Sequence, residues 1–397
     1  AYYGDSSIEG DLITQTVRDS LQKMFGGSGV GFVPVTSHLK GFRRSVYLNF
    51  SEDWARITMN KPAPPGIQFG YTGSTFTCKN NLDTPADTLK AETTGLDSVS
   101  VDSKDSIIIS EPLVVPPKAP VHEGIYSVRY SASRIFEGTY SFPKSRLFYS
   151  CPVDSFGQKG RVNIGIGETT KAIRLSGNNT VNEKLLAGYP HRRIQLDFDS
   201  ICNQVIYGVS FESDTGVILD NLPFRGNSGV WLTRIRSGVL QSFQDKLGVD
   251  LVVLQFGLNV LNPKMEDYSW YASDMERVID HIRRGFPEIS ILIVGPADKA
   301  IKLDGVMQTD PSIPLITNVL REVAQEKEVA FFSFYEAMGG RDSMVDWVEK
   351  KEPRLANTDY THFNFEGAEK AGHLFLQYLF EALDFHKSEK QKETVQF

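Results

Sequence analysis

The stretch Asp250-Leu251-Val252-Val253-Leu254-Gln255-Phe256-Gly257-Leu258-Asn259 decides the architecture. Its first seven residues are nearly continuous apolar chain rather than an alternating pattern. That is how a strand buried on both faces of a parallel sheet reads. The surrounding chain repeats the theme. Upstream, Gly216-Val217-Ile218-Leu219-Asp220 reads as a strand, and a helix is predicted near 231–246. Downstream, a helix near 268–285 precedes Ser290-Ile291-Leu292-Ile293-Val294. A helix near 312–326 precedes Val329-Ala330-Phe331-Phe332-Ser333, and a last helix is expected near 365–384. Alternating strands and helices imply a parallel sheet covered by helices.

The start of the chain belongs to the same pattern. Leu12 to Met24 place apolar residues at helical spacing, and Phe25-Gly26-Gly27-Ser28-Gly29 stops that helix. Only Ala1-Tyr2-Tyr3 precede the first turn, so the opening strand is expected to be mostly missing. Between about 30 and 212 the character changes. Short runs such as Ser106–Ser110, Ile125–Tyr130 and Arg161–Ile166 are punctuated by Gly, Pro, Asn and Asp, without convincing amphipathic helices. This pattern suggests a β-sandwich. The expected organisation is an α/β domain over 1–29 and 213–385, an inserted β-sandwich over 30–212, and a polar tail over 386–397.

Bulk properties fit two domains. The chain has 397 residues, beyond the length at which single cores stop growing. With 41% hydrophobic and 23% charged residues it is of ordinary globular composition. A net charge of −7 without basic runs makes nucleic acid a poor partner. No stretch is apolar for the length that a membrane span needs. Ala1 opens the chain without an initiator methionine or a leader, which reads as processing or trimming and removes direct evidence on compartment. Cys78, Cys151 and Cys202 are too few for a disulfide scaffold and lack metal-site spacing. One bridge or three buried thiols are both compatible with them.

Four short pieces carry chemistry. Gly4-Asp5-Ser6-Ser7 lies between the first residues and a helix starting near Asp11. A serine there is held above the edge of an open sheet, close to a helix N-terminus that favours negative charge. Alone, such a tripeptide is also what caps and turns use. Asp359-Tyr360-Thr361-His362-Phe363 puts an acid and a base three residues apart on the loop before the last helix. A serine nucleophile needs both. Asn259, at the end of the most apolar strand, can donate its amide to an oxyanion, and Gly257 permits close backbone approach. Arg225-Gly226-Asn227-Ser228-Gly229 offers a glycine N–H at the same sheet edge.

Taken together, and in this order, Ser, Gly, Asn and Asp-x-x-His resemble the blocks of the SGNH (GDSL) hydrolase family across the α/β portion, about half the chain. The resemblance implies a flavodoxin-like, three-layer α/β fold with helices on both faces. It implies Ser6 as nucleophile and Asp359 and His362 as its partners. The oxyanion hole would comprise the N–H of Ser6, the N–H of Gly229 and the Asn259 amide, with Gly226 as the competing glycine. Two departures stand out: the first motif reads Gly-Asp-Ser-Ser, and Val260 follows Asn259 where many members have Asp. Neither removes a catalytic atom.

An SGNH domain split after its first block by a carbohydrate-module-like β-sandwich resembles bacterial peptidoglycan O-acetylesterases. The opening Tyr3–Asp11 and the stretches Met338–Gly340, Asp359–Asn364 and Glu366–Ala368 also resemble secreted GDSL-type proteins of Bacteroidetes. This implies a carbohydrate ester substrate, no metal or organic cofactor, and a periplasmic or secreted location. An O-acetyltransferase, a lipid or thioester acylhydrolase, and a non-catalytic carbohydrate-binding protein are the alternatives. Tyr71, Phe76, Tyr126, Tyr130, Tyr140 and Tyr149 read as core more than as sugar-stacking residues. His38, His122, His191, His281, His373 and His386 lack a neighbouring motif and read as structural or surface.

Overall fold

The computed structural model describes residues 1–37, 42–79, 126–151, 160–199, 201 and 204–395. Its centre is a five-stranded sheet of Asn221–Pro223, Tyr2–Gly4, Leu251–Gln255, Ser290–Gly295 and Ala330–Ser333, in that spatial order. All neighbours pair in parallel. Numbered along the chain this is the order 2-1-3-4-5, a doubly wound sheet of the flavodoxin-like kind. The α/β expectation holds, with helices on both faces.

The apolar run that opened the sequence analysis explains itself here. Val252 and Leu254 pack with the helices Ser237–Leu247, Ser269–Gly285 and Ser312–Glu326. Val253 faces the opposite way, toward Leu12–Phe25 and Phe365–Val395. Both faces are covered, so no position along the strand can be polar without a partner. Gln255 is the polar exception, and it accepts from the Tyr2 hydroxyl at 2.8 Å.

Several expectations are corrected. The opening strand is not missing: three residues suffice, because both sides of Tyr2–Gly4 are paired. The strand expected at 216–220 lies at Asn221–Pro223, since its partner is only three residues long and pairing begins at Tyr2 with Asn221. The helix near 231–246 is two pieces, a 3-10 turn Val230–Arg234 and the α-helix Ser237–Leu247. The last helix does not stop near 384 but runs on to Val395, through the stretch read as a tail. The hairpin of Ala300–Leu303 with Val306–Thr309 went unforeseen.

Between Gly31 and Phe211 the chain forms two antiparallel sheets. One contains Asn182–Ala187, Ser145–Ser150, Val205–Phe211, Ser74–Cys78 and Trp54–Thr58, with Gly31–Val33 added alongside Val205–Phe211. The other contains Val46–Phe50, Tyr126–Ala132, Arg193–Asp199, Arg161–Ile166 and Thr169–Arg174. Val128, Ile194 and Leu196 of the second sheet share a core with Phe76, Leu147 and Ile206 of the first. In the second sheet burial alternates along Tyr126–Ala132, as in a sheet with one wet face. Val205–Phe211 is buried throughout, because its other face meets the helix Ser237–Leu247. The stretch Ser106–Ser110 lies outside the described residues.

Phe243 on that helix is the hinge of the contact. Its ring meets Phe32, Tyr71, Phe148 and Tyr207 at centroid distances of 5.2 to 5.8 Å. Of the aromatic residues singled out by sequence, Tyr71, Phe76, Tyr126, Tyr130 and Tyr149 are buried, and Tyr140 is exposed. Cys78 is disulfide-bonded, Cys151 is a free buried thiol, and Cys202 lies outside the described residues. Phe243→Ala should cost about 3–5 kcal/mol of stability in urea unfolding, the usual range for deleting a buried phenyl ring. A loss below about 1 kcal/mol would show that the β-rich portion does not lean on this helix.

Candidate active site

Doubly wound sheets bind ligands at the C-terminal strand ends where the strand order reverses. Here that point lies between Tyr2–Gly4 and Leu251–Gln255. The first strand leads into a 3-10 helix, Ser6–Asp11, whose N-cap Asp5 accepts the N–H of Ser7 at 2.9 Å. This cap fixes the turn that lifts Ser6 above the sheet edge.

His362 arrives from the far end of the chain. Its Nε2 lies 3.0 Å from Ser6 Oγ, across 356 residues of sequence. Its Nδ1 lies 2.8 Å from Asp359 Oδ2. With Nδ1 donating to the carboxylate, Nε2 is the acceptor that faces the serine hydroxyl. The loop that carries both is closed by a bridge between Ala356 and Phe363, and the His362 carbonyl accepts the N–H of Asn357 at 2.9 Å. Tyr360 takes a positive φ of 53°, uncommon for a bulky residue, and its carbonyl is held by the N–H of Ala300 at 3.0 Å. Asp359 also accepts the N–H groups of Thr361 and His362, each at 3.0 Å. Partial burial works against its charge. The bonds from His362 and Thr361 outweigh that and hold the carboxyl below its ordinary range. Side-chain exposures of 41% for His362 and 49% for Asp359 leave the site open to a large substrate.

The oxyanion candidates are arranged differently from the sequence expectation. Asn259 is at the site, but its amide is engaged: Nδ2 donates to Asp5 Oδ2 at 2.9 Å and to the Asn227 carbonyl at 3.1 Å. Gly257, just before it, has a φ of 129°, and a Cβ there would press on Ile316 and Pro296. The N–H of Gly229 is buried and donates to Asn227 Oδ1 at 2.9 Å. Gly226 instead sits exposed in a turn closed by the Asn227 N–H to the Phe224 carbonyl. Its φ of 73° at the third position is that of a type II turn, which selects glycine. The turn lies against the Ser6 loop, since Arg225 pairs with Glu9 at 2.6 Å and Asn221 donates to the Ile8 carbonyl.

Sequence reading missed the roles of Asp5 and Asn227. Asp5 is 1% exposed. Burial pushes its carboxyl above the ordinary range, against bonds from Ser7, the charge of His362 and the bond from Asn259. Only the hydrogen-bonding capacity of Asp and Asn pointed to such roles. The molecule holds a second serine–histidine contact, Ser145 Oγ to His191 Nε2 at 2.9 Å. It is buried, and the other nitrogen of His191 meets the Tyr189 carbonyl rather than an acid. His281 is also buried, bonded to the Ile235 carbonyl, while His373 is exposed. His38 and His122 lie outside the described residues. Among the described residues no cluster of three or more His, Cys, Asp or Glu could hold a metal ion.

The model of the GDSL-like Lipase/Acylhydrolase family matches residues 177–370. That stretch is similar to the family over just under half of the chain. The protein is an ester-hydrolysing enzyme. The match includes Asn227, Asn259, Asp359 and His362 but stops short of Ser6; folding brings the serine into the set. No curated protein matches the sequence. Among solved structures, a peptidoglycan O-acetylesterase is 19% identical with a TM-score of 0.68, covering 96% of this chain and 90% of that one. That likeness shows that the fold is shared across nearly the whole chain. An acetyl xylan esterase, AlAXEase, is 20% identical over 39% of this chain and 78% of its own, at a TM-score of 0.29. A GDSL-like lipase from Bacteroides ovatus is 12% identical over 65% and 85%, at 0.31.

Asp359 contributes to stability in a pH-dependent way. Its folded value is depressed, so the contribution is present above the unfolded carboxyl pKa of about 3.9 and lost as pH falls through the folded value. The urea midpoint of Asp359→Asn should therefore fall below wild type at pH 6. The two should converge as the pH is taken below about 3.5. A gap that stayed constant down to pH 3 would contradict the assignment.

Proposed function

We propose that this enzyme removes O-acetyl groups from a carbohydrate through a Ser6–His362–Asp359 triad. The observation that carries the reading is the unbroken contact from Asp359 Oδ2 through both imidazole nitrogens to Ser6 Oγ, at 2.8 and 3.0 Å, on an exposed part of the surface. His362 Nε2 takes the hydroxyl proton as Ser6 Oγ attacks the ester carbonyl carbon. The C–O bond to the sugar then breaks, and the imidazolium returns its proton to the departing sugar hydroxyl. Water, deprotonated by the same nitrogen, attacks the acetyl-serine and releases acetate and free Ser6. Asp359 orients the ring and stabilises its cation.

The oxyanion would be met by the Ser6 N–H, the Asn259 amide and a glycine N–H. Gly226 suits the last role better than Gly229, whose N–H is spent on Asn227. Asn259 would turn one N–H from the Asn227 carbonyl to the oxyanion while Asp5 keeps hold of the other. The carbohydrate substrate is supported by the near full-length likeness to a peptidoglycan O-acetylesterase and by the exposure of His362 and Asp359. We read residues 1–29 and 213–385 as the hydrolase domain and 30–212 as an inserted β-sandwich of carbohydrate-module type. The disulfide at Cys78 suits an oxidising compartment, hence a periplasmic or secreted enzyme.

Acetate release from acetylated peptidoglycan, acetylated xylan and p-nitrophenyl acetate tests the proposal. Ser6→Ala should lose about three orders of magnitude or more in kcat on each substrate that wild type turns over. A variant as fast as wild type on the aryl ester would dismiss Ser6 as nucleophile. Turnover confined to long-chain acyl esters would dismiss the carbohydrate substrate. Asn259→Ala should lower kcat by about 100- to 1000-fold with a smaller change in KM. A change confined to KM would remove it from the oxyanion hole.

A further inference from the structure

A cavity of about 90 Å³ opens beside the proposed catalytic loop, between residues 221–223 and the β-rich portion. Glu9, three residues after Ser6, stands on its wall. The helical turn from Ser6 breaks at this point, where Glu9 takes an extended ψ of 141° and Gly10 a φ of 74°. Val33, Pro34, Val46, Leu48 and Leu222 make the cavity partly apolar. Its polar content is dominated by two arginines, Arg43 and Arg56.

Neither guanidinium is satisfied. Arg56 donates from Nη2 to Ser74 Oγ at 3.3 Å, while its Nε is buried without a hydrogen-bond partner. No carboxylate among the described residues lies within ion-pair distance of it. Arg43 donates from Nε to Ser45 Oγ at 2.8 Å and reaches Asp11 Oδ2 at 3.3 Å, while its buried Nη2 makes no hydrogen bond. Asp11 is already held by two bonds from Arg18, at 2.6 and 2.9 Å. Glu9 is likewise taken by Arg225. Arg18 and Arg43 thus share Asp11, Arg225 takes Glu9, and Arg56 has no carboxylate partner among the described residues. Asp220, a third acid acting on Arg43, is occupied by the Tyr71 hydroxyl and the Phe32 N–H. A half-buried cationic group with a donor left over is costly unless an anion completes it.

We propose that the Arg43–Arg56 cavity binds a carboxylate borne by the glycan, so that the preferred substrate is an acidic O-acetylated polysaccharide rather than a neutral one. The planar guanidinium fork matches a carboxylate, and the apolar walls suit the short carbon arm that carries it. The volume admits such an arm of a few heavy atoms. This inference rests on the carbohydrate O-acetylesterase reading, and its test separates the two.

The substrates are O-acetylated peptidoglycan strands stripped of peptide, whose lactyl ethers end in free carboxylates, and the same strands converted to methylamides. Wild type should show a kcat/KM about tenfold or more in favour of the acidic strand. Arg56→Gln should bring that ratio close to one, and Arg56→Lys should keep part of it. Because each protein is compared with itself on two substrates, partial misfolding or lost turnover cancels. A wild-type ratio near one, or a ratio untouched by Arg56→Gln, would overturn the proposal. Calorimetric titration of both strands into Ser6→Ala reads the same preference without turnover. Preferential binding of the acidic strand with no acetate released by wild type would sink the esterase reading and leave the cavity assignment standing. Equal turnover of the two strands would do the reverse.

Discussion

The short strand Tyr2–Gly4 is the constraint on which the rest of the molecule hangs. It is hydrogen-bonded on one side to Asn221–Pro223 and on the other to Leu251–Gln255. Those partners are separated from it by more than two hundred residues. Removing it would leave two sheet fragments with unpaired edges and a core open along its middle. The same three residues deliver the chain to the reversal point of the sheet, where Ser6 emerges. Fold and proposed chemistry therefore share one element, and the long detour through the β-rich portion has to begin and end beside it.

That detour is not a loosely tethered appendage. Its strand Val205–Phe211 is buried on both faces, against the partner sheet and against the helix Ser237–Leu247. Tyr71, from the β-rich portion, bonds Asp220 through its hydroxyl and accepts from the Tyr3 hydroxyl through its carbonyl. The Ser6–Asp11 turn is locked from the same side, where buried Asp11 gathers Arg18, Arg43 and Ser45. Residues on both sides of the boundary thus fix the height of the serine loop.

What could be read from the sequence divides along physical lines. The buried parallel strands and the Ser6, Asp359 and His362 set were legible because each depends on local composition or on residue types in a fixed order. The strand misplaced at 216–220 was apolar enough, but its extent is set by the length of a partner elsewhere. The helix extending to Val395 was read as a tail because polarity was weighed over helix propensity, although Glu, Lys and Gln are good helix formers. Gly226 and Gly229 could not be told apart in sequence. They differ by where the side chain of Asn227 points, which is a three-dimensional fact.

The least legible feature is Asp5, and it bears most on how the site would work. A carboxyl 1% exposed is expensive, and burial drives its pKa upward. It is retained where it meets the N–H of Ser7 and the amide of Asn259, so one side chain sets both the serine turn and the orientation of the proposed oxyanion donor. The charge of His362 works against that rise. In the proposed mechanism the imidazolium would be in direct contact with Asp359. A protonated ring would favour the charged form of Asp5 and so strengthen its hold on Asn259, the proposed oxyanion donor.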